Sequence, residues 1–168
     1  MRSGNVLHSV RTSDSVGNET FVTDFPTFGN RIAGAVYRRR PSAYALVRND
    51  LGHVAVVRTP VACYLPGGGM DPGETPEQTV VREGLEECGF VLQPRTRIGR
   101  AMEICYSSEE REYFEKDSFF IEAEIVGHGT QSELDHELVW MFADQARQAL
   151  SHGSHRWAVQ FLQDSLTK

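Results

Sequence analysis

Three glutamates that follow a glycine-rich turn have the residue type and the spacing needed to bind a cation. On a helix, at about 100° per residue, Glu83, Glu86 and Glu87 fall within an arc of roughly 100°. Like charges three and four residues apart repel, so this arrangement destabilises a helix that has no positive partner. Carboxylate and carbonyl oxygens are the ligands that Mg²⁺, Mn²⁺ and Ca²⁺ prefer, and such a cation removes the repulsion. The alternative is an acidic helix face in water. The glycine turn just before the helix favours the cation site over this alternative.

The residues around these glutamates predict a glycine turn followed by one capped helix. Gly67–Gly69 let the backbone turn sharply and bring main-chain carbonyls close to a bound group, because no side chain intervenes. Thr75 is a good N-cap, and Gln78 completes a capping box with it. Gly89 provides a C-terminal stop. The signals therefore predict a helix over Pro76–Cys88.

The whole stretch resembles the Nudix box, whose pattern is G-x5-E-x7-R-E-U-x-E-E-x-G-U, where U is a bulky apolar residue. One position departs from the pattern, because Gly84 stands where an apolar residue is expected. This change removes a core side chain and touches no acidic position. The helix sector opposite the glutamates is apolar and contains Val81, Leu85 and Cys88. The positions that match the pattern are Gly68, Glu74, Arg82, Glu83, Glu86, Glu87, Gly89 and Phe90.

The resemblance implies an α/β fold, the Nudix α/β/α sandwich with a mixed β-sheet. It also implies a Mg²⁺-dependent hydrolase, with Mn²⁺ as a substitute, that acts on a nucleoside diphosphate linked to another group. Glu83 and Glu86 are then catalytic, with Glu86 either binding the metal or taking the proton of water, and Arg82 orients Glu83. The backbone of Gly67 is expected to contact the substrate. The metal ligands implied by position are the main-chain oxygen of Gly68 and the carboxylates of Glu83, Glu86 and Glu87.

Residues outside the box are candidates for completing the site. Many Nudix enzymes recruit a further acid from a later loop, and Glu133, Asp135 and Glu137 precede a predicted strand. We favour Glu137 as an additional catalytic residue, because it lies at a strand edge after a flexible loop; the alternative is that all three are loop charges. Arg38, in the basic run Arg38–Arg40, is a candidate for binding substrate phosphate, since guanidinium matches phosphate geometry. The alternative for this run is a solvated strand end.

Composition limits the class of protein. The chain has 168 residues, a net charge of −6 and a pI near 5.5, which do not suggest a binder of nucleic-acid polymers. The three cysteines are odd in number and lie in apolar runs, so we expect free thiols in a reducing compartment. No apolar run approaches the roughly 20 residues that span a bilayer, and the N-terminus lacks a signal-peptide core. We therefore expect a cytoplasmic protein without membrane contact, monomeric or homodimeric.

The chain divides into a predicted flexible arm over residues 1–24, rich in Ser, Thr, Asn and Gly, and a single Nudix domain over residues 25–168. Residues 91–106 are expected to form one long or bent strand. Strands in the first half, a central helix and closing helices predict a mixed sheet covered on both faces. Further strands are predicted at 20–22, 31–38, 42–48, 53–58, 61–65, 118–126 and 136–142, and further helices at 143–150 and 154–166.

The leading hypothesis for the substrate is a (d)NTP, because the LPGGG, GET and VVREGLEECG segments are similar to MutT-like diphosphatases. Dinucleoside polyphosphates, ADP-ribose and nucleotide sugars remain alternatives, since the box determines the reaction and other segments determine the substrate. A third hypothesis is a non-catalytic Nudix domain that binds a nucleotide as a sensor. Such domains commonly lose box carboxylates, and all of them are present here, which favours an enzyme with a small-molecule nucleotide substrate.

Overall fold

The computed structural model describes residues 25–166, so the predicted arm over residues 1–24 and its edge strand lie outside the described residues. Among residues 25–166, no helix combines the length and the apolar character that crossing a bilayer requires. The elements are β1 Thr27–Phe28, β2 Tyr37–Val47, β3 Val54–Arg58, β4 Cys63–Tyr64, β5 Gly67–Gly69, α1 Pro76–Cys88, β6 Phe90–Ser107, β7 Glu112–His128, β8 Glu137–Met141, α2 Ala143–Ala149 and α3 Gly153–Leu166.

Two sheets form the centre of the molecule. The larger one has five strands in the order β1-β6-β7-β2-β5. It is mixed, because β6 and β7 pair antiparallel whereas β2 and β7 pair in parallel. The smaller, antiparallel sheet has the order β4-β3-β8. The long β6–β7 pair contains three register shifts, so the single long or bent strand predicted over residues 91–106 is confirmed.

Alternating side chains of β2 separate two apolar clusters, one on each face of the larger sheet. Ala45 belongs to the cluster that contains Val80 of α1. Its neighbour Leu46 belongs to the cluster that contains Val159 of α3. Successive strand side chains point to opposite faces, so α1 and α3 cover opposite sides of the sheet. The predicted α/β/α sandwich with a mixed sheet is confirmed.

Two local predictions were wrong around the glycine turn. Residues 31–38 and 42–48 are not two strands: β2 runs without interruption over Tyr37–Val47, and it pairs with β7 along its whole length. The three glycines are themselves a short strand, β5, which pairs antiparallel with residues 42–44 of β2. Gly67 has a φ of 141°, and an added Cβ would lie 2.2 Å from the carbonyl oxygen of Ala43. Only glycine allows the two backbones to approach this closely.

Candidate active site

The start and end of α1 are fixed by the caps that the sequence predicted. The hydroxyl of Thr75 accepts the N–H of Gln78 at 3.2 Å, and the Gln78 side chain accepts the N–H of Thr75 at 2.8 Å. Gly89 ends the helix in the left-handed conformation, with φ 66°. The helix over Pro76–Cys88 is confirmed residue for residue. The capping box therefore fixes where the glutamates of this helix stand relative to the preceding loop.

The glutamate face of α1 is mostly buried, and the opposite, apolar sector is not. Glu83 and Glu87 are 9% and 7% exposed, whereas the side chain of Glu86 is 38% exposed. Val81 and Leu85, which the helical pattern placed in the apolar sector, are 36% and 38% exposed. The carboxylates of Glu83 and Glu87 thus face the glycine strand β5, which covers them and keeps them out of water.

The backbone of β5 lies directly on the two buried carboxylates. The N–H of Gly67 donates to Oε2 of Glu87 at 2.8 Å. A Cβ added at Gly68 would lie 2.6 Å from Oε1 of Glu83, so a side chain here would displace that carboxylate. Peptide groups of the glycine strand and carboxylates of α1 are therefore neighbours, which is compatible with the metal-ligand set that the box implies.

Arg82 connects the loop to the helix through one guanidinium group. Its Nε and Nη2 donate to the two oxygens of Glu74 at 2.8 and 2.9 Å. Its Nη1 donates to Glu83 at 2.9 Å and to Glu86 at 3.1 Å, and Nη2 also donates to the carbonyl of Gly69 at 3.0 Å. Hydrogen bonds from Arg82 lower the pKa of Glu74 to about 2. Arg82 therefore orients Glu83 and Glu86 and attaches the loop to α1.

The site carries more negative than positive charge. Burial raises the pKa of Glu83. Burial, opposed by the Gly67 hydrogen bond and reinforced by neighbouring carboxylates, raises the pKa of Glu87 to about 9. Arg82 is the one guanidinium that contacts Glu83 and Glu86 among residues 25–164. A hard divalent cation surrounded by carboxylate and carbonyl oxygens would offset this excess charge, so the donor set fits such a cation.

A loop before β8 brings a further acid and a histidine to this site. The carbonyl of Glu86 accepts the N–H groups of Ser132 and Glu133, both at 3.0 Å. Ligand atoms of Glu87, Glu133 and His136 all lie within 4.8 Å of one another. The sequence pattern indicated Glu133 but not His136. The histidine directly before the predicted strand was the available signal, but no spacing rule connects it to the box.

Of the acids predicted before β8, the structure places Glu133, and not Glu137, beside Glu87. Glu137 begins β8, and its carboxylate accepts a hydrogen bond from Arg58 of β3 at 3.2 Å. Its side chain is 64% exposed. Asp135 is also largely exposed, although one of its oxygens lies 3.3 Å from Nδ1 of His136. Cross-strand pairing directs Glu137 towards the neighbouring strand, whereas the loop conformation directs Glu133 towards Glu87.

Within the basic run, the structure brings Arg40 to the glycine strand. The guanidinium of Arg40 pairs with Glu110, and its Nε would lie 3.1 Å from a Cβ at Gly69. Arg38, the residue that the sequence favoured, is mostly exposed and pairs with Glu112 at 3.2 Å. Two strand residues separate the α-carbons of Arg38 and Arg40 by roughly 7 Å. Arg40 is therefore the member of this run that lies beside the box.

The fold and this arrangement of glycines, glutamates and one arginine define a class of protein. A family model described as NUDIX domain matches residues 38–162. The chain belongs to the Nudix family, and the resemblance of its box is confirmed. The free state of Cys63, Cys88 and Cys105, which the sequence predicted, is also found in the structure.

Known proteins agree with this assignment. A Bacillus subtilis (strain 168) protein named "Putative 8-oxo-dGTP diphosphatase" is 35% identical over 74 residues, which cover 43% of this chain and 50% of that relative. A solved MutT Nudix hydrolase from Burkholderia pseudomallei is 27% identical, with a TM-score of 0.55 over 73% of this chain and 97% of that one. A Nudix hydrolase from Nitrosomonas europaea, 16% identical, has a TM-score of 0.63 over 76% and 90% of the two chains and shares the fold.

Proposed function

We propose that this chain is a divalent-cation-dependent hydrolase that cleaves a pyrophosphate bond in a nucleoside diphosphate linked to another group. The (d)NTPs are the proposed substrates. Dinucleoside polyphosphates, ADP-ribose and nucleotide sugars are the alternatives that the substrate test must separate. The name of the Bacillus subtilis relative supports a (d)NTP, because 8-oxo-dGTP is an oxidised member of that class.

One observation carries the proposal: two buried carboxylates face a glycine backbone with too little positive charge around them. Glu83 and Glu87 are below a tenth exposed, and Arg82 is shared among three glutamates. A structural helix face would place these groups in water, where the repulsion between them would be screened. Burying them destabilises the protein unless a cation is part of the working state.

Each residue then has a role that follows from its contacts. Glu83, Glu87 and the main chain of Gly68 are proposed to hold the cation, which neutralises phosphate charge and activates water when it is bound. Gly67 fixes Glu87 through its N–H, and Arg82 fixes Glu83. Glu86 is more accessible than Glu83 and Glu87.

The accessible Glu86 is proposed to accept a proton, or to share in holding the cation. Hydrolysis adds water to one phosphorus and breaks the bridging P–O bond, so two phosphorylated products and a proton result. Glu86 lies at the open side of the site, where it can receive that proton. Glu133, rather than Glu137, is the proposed second acid, because it lies beside Glu87.

The substrate phosphates are proposed to meet Arg40 beside the glycine strand. Arg40 on β2 is the cross-strand neighbour of Lys116 on β7, so the two cations lie on one face of the sheet, and Arg40 is the one beside β5. Lys116 is half-buried, and burial lowers its pKa. Arg38 extends this basic row to the outside, where it would contact a longer substrate. This row offers positive charge where a polyphosphate chain would leave the metal centre.

A substrate panel tests the proposal. The purified chain is incubated with (d)NTPs, 8-oxo-dGTP, dinucleoside polyphosphates, ADP-ribose and nucleotide sugars, each with Mg²⁺ or Mn²⁺, and the products are separated by ion-exchange chromatography. We expect cation-dependent turnover with a preference for a (d)NTP, and a loss of at least about 100-fold in kcat for Glu86→Gln. The variant Glu137→Gln is the matched control and should keep its activity. Tight nucleotide binding without turnover of any compound would instead support the sensor hypothesis.

A further inference from the structure

His136 has an orientation that the box pattern does not explain. Its Nε2 lies 3.6 Å from Oε1 of Glu87. On the other side of the ring, Nδ1 lies 3.1 Å from Oε2 of Glu133 and 3.3 Å from Oδ1 of Asp135. The side chain is 20% exposed, and Nδ1 itself is buried without a protein hydrogen bond of good geometry. The imidazole therefore stands between the most buried box glutamate and the acids of the loop.

The loop that carries this histidine is held in place by its own hydrogen bonds. The side-chain amide of Gln131 donates to the carbonyls of both Glu133 and His136 at 2.7 Å. The N–H of His136 donates to the carbonyl of Glu133 at 3.2 Å, and the N–H of Glu133 binds the carbonyl of Glu86 at 3.0 Å. These hydrogen bonds hold the backbone of His136 close to the last turn of α1.

The distances suit a shared metal ion. Ligand atoms about 2.1 Å from a metal lie roughly 3.0–3.4 Å apart when they are neighbours in a tetrahedral or octahedral shell. The 3.6 Å between Nε2 of His136 and Oε1 of Glu87 is close to that range. A metal-bound histidine usually donates its second ring N–H to a carboxylate, and here Nδ1 faces Glu133 and Asp135.

We propose that Nε2 of His136 binds a divalent cation together with the carboxylate of Glu87, which gives the metal centre of this chain one nitrogen ligand. The inference rests on the proposed function, because Glu87 belongs to the same centre. Glu133 contributes an oxygen or holds Nδ1, since its ligand atom lies within 4.8 Å of both partners. The alternative is that His136 only pairs with these acids and binds no metal.

A nitrogen ligand changes which cations the centre prefers. Carboxylates and carbonyls suit Mg²⁺ and Mn²⁺ alike, whereas imidazole strengthens the binding of transition ions and adds little for Mg²⁺. The substitution His136→Gln should therefore weaken Mn²⁺ binding by about tenfold or more, since even changes at residues that only support metal ligands cost about 10–100-fold. Mg²⁺ binding should change less, so that the ratio of the two affinities falls.

Pulsed electron paramagnetic resonance of the Mn²⁺-loaded full chain tests the nitrogen ligand directly. We expect a ¹⁴N coupling in the wild type that becomes a ¹⁵N coupling when the histidines are ¹⁵N-labelled. His136→Gln should abolish this coupling, and the control His128→Gln, an exposed histidine just before the same loop, should retain it. If His136→Gln does not fold, ¹⁵N NMR of the wild type titrated with Zn²⁺ should show a shift of the His136 ring nitrogen.

The outcomes separate this inference from the proposed function. Bound Mn²⁺ without nitrogen coupling, or coupling that persists in folded His136→Gln, would overturn the histidine ligand and leave the hydrolase proposal intact. An unshifted His136 ring signal in the Zn²⁺ titration would have the same meaning. Failure of the wild type to bind Mn²⁺ at all would overturn both.

Discussion

Replacing Glu87 by Gln should stabilise the cation-free protein while removing its response to cations. The substitution preserves the shape of the side chain and an oxygen that can accept the N–H of Gly67. It removes a carboxyl group that must take up a proton to be buried beside Glu83, Glu86 and Glu133. If Glu87 binds the metal at a cost in stability, its replacement should raise stability without cation and abolish the stabilisation by cation.

The magnitude follows from the pKa of Glu87, which is about 9 in the folded protein against an ordinary value of 4.5. The group is neutral in the folded state and ionised in the unfolded state between these two values. The interval from the unfolded-state pKa of 4.5 to pH 7 is 2.5 pH units, and each unit corresponds to about 1.36 kcal/mol. Burial of Glu87 therefore destabilises the folded protein at pH 7 by at most about 3.4 kcal/mol. We expect Glu87→Gln to recover about 1–3 kcal/mol of it, because local relaxation reduces the full value.

The sign of the pH dependence is fixed by the direction of the shift. Because the pKa of Glu87 is raised on folding, the wild type loses stability as pH rises from about 4.5 towards 9. Gln does not titrate, so the stability difference between variant and wild type should be close to zero below pH 4.5. It should then grow with pH up to about 9.

Urea unfolding in EDTA at pH 5.5, 7.0 and 8.5, followed by circular dichroism, measures this difference. Adding Mg²⁺ or Mn²⁺ should reverse the order, because a ligand that binds only the folded state stabilises the wild type. Glu137→Gln is the matched control and should differ from the wild type by less than about 0.5 kcal/mol. A Glu87→Gln variant that is less stable than the wild type at pH 7 in EDTA, or a difference independent of pH, would refute the reasoning.

Three further predictions follow from contacts of the box and its loop. Gly84→Ala should lower the free energy of unfolding by about 0.5–2 kcal/mol in urea titrations. The new Cβ would lie 2.4 Å from Cδ1 of buried Leu92, and this overpacking outweighs the gain in helix propensity. The kcat of this variant should be retained. Arg82→Lys should lower both stability and kcat, because an ammonium group cannot make the paired bonds of the guanidinium. Glu133→Gln should reduce kcat in the cation-dependent assay, whereas Glu137→Gln should not; equal activity in both would remove Glu133 from the site.

The local features of the box were predictable because they depend on neighbouring residues. The capping box at Thr75 and the glycine stop at Gly89 fixed both ends of α1, and the structure confirms them. The helical angles correctly placed the three carboxylates on one face. They could not indicate which sector lies inside, since a helical wheel gives relative directions only. Val81 and Leu85 ended half exposed because the glycine strand covers the opposite, acidic side.

Candidate residues that reach the site from distant elements could not be ranked from the sequence. Arg38 and Arg40 are equivalent by type, and only the pairing of β2 with β5 shows that Arg40 lies beside the glycines. Glu133 and Glu137 are likewise equivalent by type, and only the loop conformation shows which of them lies beside Glu87. That conformation depends on two hydrogen bonds from the side-chain amide of Gln131. Such choices depend on long-range hydrogen bonds, which a pattern of residue types does not contain.

The departure of Gly84 from the family pattern has a physical explanation in the neighbouring strand. The pattern calls for a bulky apolar side chain at this buried helix position, and the space is filled instead from β6. The methyl carbon Cδ1 of Leu92 lies 2.4 Å and its Cγ 2.9 Å from where a Cβ of Gly84 would be. Leu92 is 4% exposed and packs with Val80 and Ile121 in the cluster on the α1 side of the sheet. Gly84 and Leu92 therefore share one volume, and an apolar residue at position 84 would require a smaller residue at position 92. The double variant Gly84→Ala with Leu92→Ala should accordingly be destabilised by less than the sum of the two single changes.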